Sequence, residues 1–438
     1  MAERYDVLIV GAGPAGLAAA RAAAGHGARV GLIDAQATQG GQVWRHDVRH
    51  AAPRIAAAAF RGIENRANIE WLAQTQVVAA ANGGLLVEQA GQSRTLRYGS
   101  LVLATGAREL LLPFPGWTLP GVSGAGGAQA LAKQGWPLKG KRVVVAGSGP
   151  LLLAAAATLR KHGANVLGIY EQASARRLTS FASQLWRWPA KAAQAVALRA
   201  SLAGVPYRAD SFVRAAHGDT ALHSIEVQIG KNIRTIDCDH LAVGYGLVPN
   251  VELAQLFGCA LDESGRHPCV AVDEDQRTRI ANVYAAGEAC GIGGRDAARI
   301  EGAIAGHSAV GAVQAARSLQ SARSRVRRFS ALLETHFALD ARIRGLAASD
   351  TLVCRCEEVP FSALRDSKNA RAAKLQTRCG MGACQGRICG TALAELGLFP
   401  RGGPRPPVFP ARLATLADDE FAASLTDSSI YSTQENIA

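Results

Sequence analysis

The segment Gly11–Gly16 (GAGPAG) lies between two short apolar runs, at Asp6–Val10 and Arg29–Asp34. An alanine-rich stretch of helical character joins these glycines to Gly25–Gly27, so strand, glycine turn, helix and strand follow one another within about 29 residues. That order and spacing are typical of a dinucleotide-binding βαβ unit. The alternative is an ordinary parallel α/β unit in which the glycines only turn the chain.

The three glycines of this turn have separate tasks. Gly11 permits the tight turn, Gly13 leaves room for a pyrophosphate at the backbone, and Gly16 allows the helix to pack closely on the strand. The helix then begins at Pro14 and Ala15, where free N–H groups and the positive end of the helix dipole attract phosphate. The turn therefore predicts a nucleotide site.

Four further features bear on which nucleotide binds. Asp34 ends the second strand, where its carboxylate can accept the ribose hydroxyls. A Gly-Gly-Gln segment follows at Gly40–Gln42, a strand at Leu101–Ala107 ends in small residues, and Asn282–Glu288 has the same form. With these segments the chain resembles the thioredoxin-reductase-like and glutathione-reductase-like flavoproteins, which have two dinucleotide-binding domains. The resemblance implies FAD rather than NAD at the first site.

The resemblance also implies which residues contact FAD. Gln42 falls on a position near the flavin in that group, and Glu288 falls on the position of an acid, usually Asp, beside the ribityl and pyrophosphate region. The predicted FAD-binding residues are Gly11, Gly13, Pro14, Ala15, Gly16, Asp34, Gly41, Gln42, Val77, Thr105, Gly106, Gly287 and Glu288.

A second βαβ pattern begins 136 residues after the first, at Arg142–Pro150. Its third glycine is replaced by Leu152, whose side chain we expect to push the helix away from the strand and alter the phosphate pocket. Gly147, Gly149 and Glu171 are the weaker candidates for holding a second nucleotide, which would be ATP, ADP or NAD(P). The other interpretation is a retained Rossmann scaffold that binds nothing, or that binds a nucleotide without redox exchange.

Five of the nine cysteines lie within 36 residues, at Cys354, Cys356, Cys379, Cys384 and Cys389. An extended Cys354-Arg-Cys356 would direct both thiols to one side of a strand, and the glycine-rich loop after it can bring further thiolates to meet them. Four thiolates can hold a [2Fe–2S] cluster, with two on each iron. Zinc accepts the same ligands, but its usual repeated Cys-x2-Cys is absent from the sequence, which favours the cluster.

The segment Val353–Gly390 resembles the bacterioferritin-associated-ferredoxin-like [2Fe–2S] domain. That small helical module follows the flavoprotein in subunits of cyanide synthase, opine oxidase and D-hydroxyproline dehydrogenase, and the resemblance covers nearly the whole chain. It implies four cluster ligands, Cys354, Cys356, Cys384 and Cys389. Because Cys379 and Cys384 have the same spacing as Cys384 and Cys389, the identity of the fourth ligand stays open.

The sequence does not identify catalytic residues. Disulfide reductases of this fold carry a Cys-x-x-Cys beside the flavin, but no cysteine precedes Cys238 here. The four scattered cysteines are expected to be small buried hydrophobic residues, at Cys238, Cys259, Cys269 and Cys290. The lack of a recognisable acid, base or nucleophile constellation is explained if the substrate is oxidised on the flavin of a partner subunit.

The predicted fold is α/β, with two Rossmann-like flavoprotein domains, one inserted in the other, and a small helical C-terminal [2Fe–2S] domain. The expected boundaries are 1–115 and 246–315 for the two halves of the FAD domain, 116–245 for the inserted nucleotide domain, 316–349 for a helical linker, 350–398 for the cluster domain and 399–438 for an extended tail. The charge run Arg323–Arg328 in the linker is expected to be a solvated helix face or a docking surface.

Composition limits the class of protein. Hydrophobic residues make up 48% of the chain and charged residues 19%, which excludes a disordered chain. The net charge of +13 is attributed to an arginine-rich surface, and no nucleic-acid partner is expected because aromatic residues are only 5%. No signal peptide and no apolar run long enough to span a bilayer is recognised, which predicts a cytoplasmic protein with reduced thiols.

Together these features predict an FAD- and [2Fe–2S]-containing electron-transfer subunit of a hetero-oligomeric dehydrogenase. The resemblance implies that the complex oxidises a C–N bond in an amino acid, an imino acid such as D-hydroxyproline, or an opine. Its expected partner is a catalytic FAD-containing oxidoreductase subunit, with a small ferredoxin-like subunit as a further candidate. The alternatives are a self-sufficient NAD(P)H-dependent flavin reductase that passes electrons to a ferredoxin-like acceptor, and a non-catalytic redox-sensing assembly module.

Overall fold

The computed structural model describes residues 3–81 and 84–417, which form two compact units. Unit 1 comprises the described residues of Met1–Arg108, Val248–Ser330 and Gly403–Ala438, and unit 2 comprises Glu109–Leu247 and Ala331–Gly402. The larger part of unit 2 is thus inserted within the sequence of unit 1. The predicted α/β fold with two Rossmann-like modules is confirmed.

The strands of the described residues are β1 (Glu3–Val10), β2 (Val30–Ile33), β3 (Ile69–Leu72), β4 (Thr75–Ala81), β5 (Gly84–Gln89), β6 (Gln92–Leu103), β7 (Ala107–Glu109), β8 (Val122–Gly124), β9 (Arg142–Gly147), β10 (Asn165–Glu171), β11 (Tyr207–Arg208), β12 (Ser211–His217), β13 (Ser224–Ile229), β14 (Asn232–Asp237), β15 (His240–Gly244), β16 (Leu247–Pro249), β17 (Leu261–Asp262), β18 (Cys269–Val270), β19 (Val283–Ala285), β20 (Leu352–Cys354) and β21 (Val359–Pro360).

The α-helices are α1 (Pro14–Ala24), α2 (Arg54–Glu64), α3 (Ala125–Lys133), α4 (Leu151–Lys161), α5 (Ala175–Ala182), α6 (Pro189–Ser201), α7 (Glu252–Leu256), α8 (Gly294–Ala309), α9 (Val313–Arg317), α10 (Gln320–His336), α11 (Ala341–Arg344), α12 (Ser362–Arg365), α13 (Ala370–Thr377), α14 (Cys389–Glu395) and α15 (Leu413–Leu416). Short 3-10 helices lie at Leu185–Arg187 and Gly287–Cys290.

Unit 1 is built on a sheet with the strand order β3-β2-β1-β6-β5-β4, in which β19 also pairs with β6. The strands β3, β2, β1, β6 and β19 run parallel, whereas β4, β5 and β6 form an antiparallel meander. Val10, Leu103 and Ala285 are in register at the carboxyl ends of β1, β6 and β19. The three segments that follow these strands therefore begin at the same edge of the sheet, where ligands bind in open α/β folds.

Helix α1 packs on α8 through glycines spaced one turn apart. A Cβ on Gly302 would collide with the carbonyl oxygen of Ala15, and a Cβ on Gly306 would collide with that of Ala19. Only glycine allows the two helix backbones to approach this closely. The contact fixes the segment before α8 beside the beginning of α1.

Unit 2 contains a parallel five-stranded sheet with the order β11-β10-β9-β15-β8, and an antiparallel sheet of β12, β13 and β14. Helix α4 follows β9 and contributes the fully buried side chain of Leu152 to the core of the parallel sheet. Residues 352–399, which we call the cysteine module, have a separate core that includes Val353, Leu364 and Phe399.

The described part of the C-terminal tail lies along β4 and β5 of unit 1. The Val408 N–H donates to the Val78 carbonyl at 2.9 Å, and the Thr415 hydroxyl donates to Glu88 at 2.8 Å. The expected extended segment thus lies on the surface of this chain, and residues 418–438 of the predicted tail are outside the described residues. Among the described helices, none has the length and apolar character needed to cross a bilayer.

Candidate cofactor sites

The first glycine turn is tight at both ends and open in the middle. A Cβ on Gly11 would collide with the carbonyl oxygen of Ala104, and one on Gly16 would collide with that of Gly11. A Cβ on Gly13 would have no heavy atom within 4 Å. Gly13 is also the N-cap of α1, and Pro14 occupies the first helical position. The turn therefore offers backbone N–H groups and free space to a phosphate.

Asp34 lies beside this turn at the end of β2. Its Oδ2 accepts a hydrogen bond from the Ala12 N–H at 2.7 Å, and its Oδ1 accepts one from the Gln36 N–H at 2.8 Å. The carboxylate is only half-buried, and the next residue, Ala35, lines a cavity of about 590 Å³. Asp34 is thus oriented by the backbone while it stays accessible to a ribose.

The structure brings Gly41 to the turn but directs Gln42 elsewhere. A Cβ on Gly41 would lie 3.0 Å from the Cα of Gly13, so the two backbones are in close contact. The exposed side chain of Gln42 accepts a hydrogen bond from Arg45 at 2.8 Å. Val77 is buried in β4, with 5% of its surface exposed. The Val77 side chain thus belongs to the core of unit 1.

Thr105 and Gly106 are held in place by contacts with Asn250 and Arg108. The Thr105 hydroxyl donates to the Asn250 carbonyl at 2.7 Å, and the Asn250 amide donates back to the Thr105 carbonyl at 3.0 Å. Arg108 donates to the Asn250 side-chain oxygen at 2.7 Å and forms an ion pair with Glu252 at 3.0 Å. A Cβ on Gly106 would meet no atom within 4 Å, so this fixed turn faces open space.

Gly287 completes the same edge of unit 1. A Cβ there would lie 2.8 Å from that of Ala15, and the Gly287 N–H donates to Glu301 at 3.2 Å. Glu301 is fully buried, and its other oxygen is 2.5 Å from the Nε of Arg327. Arg327 also donates to the Cys290 carbonyl at 3.1 Å. This buried ion pair therefore fixes the Gly287 turn against α1.

Two arginines of the run Arg323–Arg328 thus contradict the expectation of a solvated helix face. Arg327 pairs with the buried Glu301, and the Nε of Arg323 lies 3.9 Å from the same carboxylate. In the sequence, the four-residue spacing of these arginines, which places them on one face of α10, was the signal that they share a partner.

Glu288, the predicted FAD contact, is half-buried. Desolvation raises the pKa of its carboxyl, while a hydrogen bond from the Gly294 backbone opposes this rise.

The cysteine module brings its five thiols together. The sulfur atoms of Cys354, Cys379 and Cys389 all lie within 4.8 Å of one another, and the three residues are buried. Cys384 is in hydrogen-bonding contact with Cys389 and with Cys356. The contact with Cys389 is the largest cause that lowers the pKa of Cys384, to about 5, so that a thiolate is favoured there. The contact with Cys389 also lowers the pKa of Cys379, and a cluster of thiols of this kind fits an iron–sulfur or zinc centre by donor chemistry.

The expected extended Cys354-Arg-Cys356 is wrong. Strand β20 ends at Cys354, and residues 355–358 form a turn before β21, so that Cys354 is buried whereas Cys356 is exposed. The reversal places Glu358 at a φ of +51°. A turn, rather than the alternation of a strand, therefore decides where the Cys356 thiol lies.

Trp117 anchors the start of the cysteine module within unit 2. Its Nε1–H donates to the Leu352 carbonyl at 2.6 Å, and the Arg355 guanidinium lies 5.8 Å from the centre of its ring. The indole therefore contacts one residue before and one residue after Cys354, Leu352 in β20 and Arg355 in the turn.

Residues 5–318 match the family model described as pyridine nucleotide-disulphide oxidoreductase. The chain belongs to this family. An opine oxidase subunit of Agrobacterium tumefaciens (strain Ach5) is 31% identical, with 95% of this chain and 92% of that protein aligned. The HcnB subunit of hydrogen cyanide synthase from Pseudomonas aeruginosa is also 31% identical, over 87% of this chain and 90% of that protein.

The fold is shared with solved structures of this kind. The crystal structure of L-proline dehydrogenase from P. horikoshii matches with a TM-score of 0.68 at 20% sequence identity, covering 95% of this chain and 81% of that chain. Thioredoxin reductase of T. acidophilum matches with a TM-score of 0.51 at 23% identity, covering 73% of this chain and 99% of that chain. The chain thus has the FAD-binding pyridine nucleotide-disulphide oxidoreductase fold and is an oxidoreductase of that family.

This pyridine nucleotide-disulphide oxidoreductase differs from disulfide reductases in its cysteines. Its sequence has no cysteine before Cys238, so no cysteine pair precedes the second nucleotide module. Three of the four scattered cysteines are buried, at Cys238, Cys259 and Cys290, and Cys269 is half-buried.

The second nucleotide module of this oxidoreductase repeats the tight part of the first turn. A Cβ on Gly147 would collide with the carbonyl oxygen of Gly244, as a Cβ on Gly11 would with that of Ala104. Leu152 is accommodated in the core, and α4 begins after Pro150 as its N-cap. The replacement of the third glycine is therefore absorbed by packing.

The middle of the second turn is closed. A Cβ on Gly149 would lie 3.6 Å from the Cγ of Phe337, and Gly149 is buried. Glu171, a candidate for the ribose, is fully buried; it accepts hydrogen bonds from the Gly149 N–H at 2.7 Å and the Ala173 N–H at 2.9 Å. Burial raises the pKa of Glu171 to about 7. The two groups predicted to bind a nucleotide, at Gly149 and Glu171, are thus in contact with other protein atoms.

Proposed function

We propose that the chain is the FAD- and [2Fe–2S]-containing electron-transfer subunit of a heteromeric dehydrogenase. The complex oxidises a C–N bond in an amino acid, an imino acid such as D-hydroxyproline, or an opine. Oxidation of the substrate takes place on a partner flavoprotein, and this chain passes the electrons on. A cytoplasmic location, as expected from the sequence, is part of the proposal.

One observation carries this proposal: an open dinucleotide turn and a cluster of five thiols occur in the same chain. The turn is accessible at Gly13, and the thiols of Cys354, Cys379 and Cys389 lie within 4.8 Å of one another. A two-electron carrier and a one-electron carrier in one chain suit a protein that splits electron pairs. No nucleophile or acid–base pair of this chain is needed for such a role.

The substrate class is supported by the named relatives. Two of them are called subunits of opine oxidase and of hydrogen cyanide synthase, and a similar fold is found in an L-proline dehydrogenase. Opines and proline contain oxidisable C–N bonds. We therefore assign the donor to the CH–NH or CH–NH2 class, with a partner protein that selects it.

The residues of unit 1 would hold FAD in the following way. The N–H groups of Gly13 and Ala15 would bind the pyrophosphate at the N-terminus of α1, where Pro14 has no N–H to donate, and Asp34 would accept the ribose hydroxyls. Asn250 and Glu301 hold the turns at Thr105 and Gly287 in place. When bound, the flavin supplies acceptance of an electron pair and its release in single steps.

The cysteine module would hold the cluster through Cys354, Cys356, Cys384 and Cys389. Cys384 contacts both Cys356 and Cys389, and Cys354 is adjacent to Cys389, so these four thiols are neighbours. Trp117 positions the strand that carries Cys354. Cys379 stays a competing ligand because its sulfur is in the buried group of three.

The NAD(P)H-dependent alternative is not favoured by the geometry of the second module. It needs a second module that admits a nicotinamide dinucleotide, but Phe337 lies against Gly149 and Glu171 is fully buried. We therefore expect NADH to reduce the flavin of this chain only slowly.

The proposal is tested by purifying the chain alone and together with its native partners, and measuring flavin and iron per chain. We expect both in the isolated chain, but turnover of hydroxyproline, proline or opines only in the complex. Cys384→Ser should lose iron and keep flavin, whereas Cys259→Ser, a buried cysteine of unit 1, should keep both. Turnover of an amino acid by the isolated chain, or an iron-free wild type, would contradict the proposal.

A further inference from the structure

The two nucleotide modules of this chain have related glycine sequences in two different environments. Gly13 and Gly149 occupy equivalent positions in GAGPAG and GSGPLL, but the φ of Gly13 is −73° and that of Gly149 is +87°. A Cβ on Gly13 would have no neighbour within 4 Å, whereas a Cβ on Gly149 would have the Cγ, Cβ and Cδ1 of Phe337 at 3.6 to 3.8 Å. The first turn thus has open space beside this glycine, and the second turn has a side chain in contact with it.

Residues 337–340, which we call the cover segment, connect α10 to α11. The Ser148 hydroxyl donates to the Phe337 carbonyl at 3.0 Å. The Gln172 amide donates to the Ala338 carbonyl at 3.1 Å and accepts from the Asp340 N–H at 2.9 Å. The backbone of the cover segment is therefore bonded to the turn and to the residue after β10.

The contacts that hold the cover segment are buried and mutually supporting. Gln172 is 2% exposed and also donates to the Ser148 hydroxyl at 2.8 Å. On the outer side, the ring of Phe181 packs on Phe337 with centroids 5.0 Å apart. Arg342 pairs with Asp210 at 2.6 Å just beyond the segment. Such a connected and satisfied polar network favours one arrangement of the backbone.

One of the groups that would bind phosphate at this turn is already used. The Gly149 N–H, which a pyrophosphate would need, donates to Glu171 at 2.7 Å. A phosphate in this place would also lie beside the buried carboxyl group of Glu171, and it would have to displace the ring of Phe337. The ring cannot move aside while the cover segment stays where it is.

We propose that the cover segment occupies the pyrophosphate position of the second module, so that a nucleoside diphosphate or dinucleotide binds at Gly147–Gly149 only when the segment leaves. This inference concerns the second module alone and holds whichever donor the complex oxidises.

The experiment measures ADP binding to the full chain with its first module saturated with FAD, so that ADP reports on the second module. Phe337→Ala opens the space over Gly149, and Gln172→Ala removes the bonds that hold the cover segment. We expect each variant to bind ADP about tenfold or more tightly than the wild type, because the competent state is more populated. Phe361→Ala, a matched truncation in the core of the cysteine module, should leave ADP binding unchanged. Equal ADP affinities in the wild type and both release variants would overturn the proposal.

If the variants do not fold, amide hydrogen exchange of the wild type tests whether the cover segment blocks the second module. We expect the amides of Gly149 and of the cover segment to have the same protection factor, since one opening exposes both. Any ADP that binds must then lower the protection factors in the cover segment. Protection of Gly149 by ADP with an unchanged cover segment would overturn the proposal, as would a lower protection factor at Gly149 than in the cover segment without ADP.

Discussion

The ring of Phe337 lies against Gly149, with its Cγ 3.6 Å from the position that a Cβ on Gly149 would take. The equivalent glycine of the first module, Gly13, has a φ of −73° instead of +87°, and a Cβ there would meet no heavy atom within 4 Å. One chain therefore contains an open and a covered form of the same sequence motif. The two forms differ in the backbone at this glycine and in what a distant part of the sequence places beside it.

Gly13→Ala should separate folding from FAD binding. The φ of Gly13 is −73°, which alanine adopts without strain, and the added methyl group would enter only the space intended for the pyrophosphate. We expect an unchanged melting temperature without flavin and FAD binding that is weaker by about tenfold or more, the cost of one impaired phosphate contact. Gly402→Ala, where the methyl group also meets no atom within 4 Å, should bind FAD normally. Normal FAD content in Gly13→Ala would show that the pyrophosphate lies elsewhere.

Arg327→Met should destabilise unit 1. The substitution leaves the fully buried Glu301 without its closest cation, and breaking a buried pair by removing one partner costs about 3 kcal/mol. Urea unfolding should therefore shift to a lower midpoint, and FAD content should fall because the Gly287 turn is held by Glu301. Arg328→Met, an exposed neighbour on the same helix, is the control and should unfold as the wild type does.

Glu171 should make unit 2 less stable as the pH rises. Its pKa is raised from the usual 4.5 to about 7 by burial, so between these values the folded state binds a proton that the unfolded state has lost. The stability contributed by the protonated carboxyl is complete below pH 4.5 and is lost as the pH rises to 7, by on the order of 1–3 kcal/mol.

Melting of the wild type and of Glu171→Gln at several pH values measures this effect. The advantage of the wild type over the variant should be greatest near pH 5 and should shrink towards pH 8. A difference that does not change with pH would mean that Glu171 titrates at its ordinary pKa.

The cysteine module should lose its iron when Cys389 is replaced by serine. The Cys389 thiol contacts both Cys379 and Cys384, and Cys389 is one of the four proposed ligands. We expect Cys379→Ser to keep most of its iron, since the ligands are proposed to be the other four cysteines. Iron per chain and the visible spectrum of the cluster measure both outcomes. Full iron in Cys389→Ser, or an iron-free Cys379→Ser, would require a different set of ligands.

Much of the fold follows from local sequence. The order of apolar runs and glycines predicts both βαβ units, because a tight turn before a helix requires glycine wherever the backbone approaches another backbone, as Gly11 does at Ala104. The clustering of five cysteines predicts a thiol site, since thiols so close in sequence are brought within reach by a short hairpin and a helix start. The site residues drawn from resemblance stay predictions.

What the sequence could not decide depends on contacts between distant residues. The charge run at Arg323–Arg328 has the composition of a solvated face, but Glu301 is buried opposite two of its arginines. Because the chain turns after Cys354, the Cys354 thiol is buried and the Cys356 thiol is exposed, although the two residues are only two positions apart.

By itself, the sequence determined that this chain has two dinucleotide folds and a cysteine module, because periodicity and spacing act locally along the chain. Only the tertiary structure decided that the turn at Gly13 is open and the turn at Gly149 is covered. The reason is physical: the local backbone sets what a glycine turn could bind, but Phe337, which follows it by 188 residues, determines whether the space beside it is free.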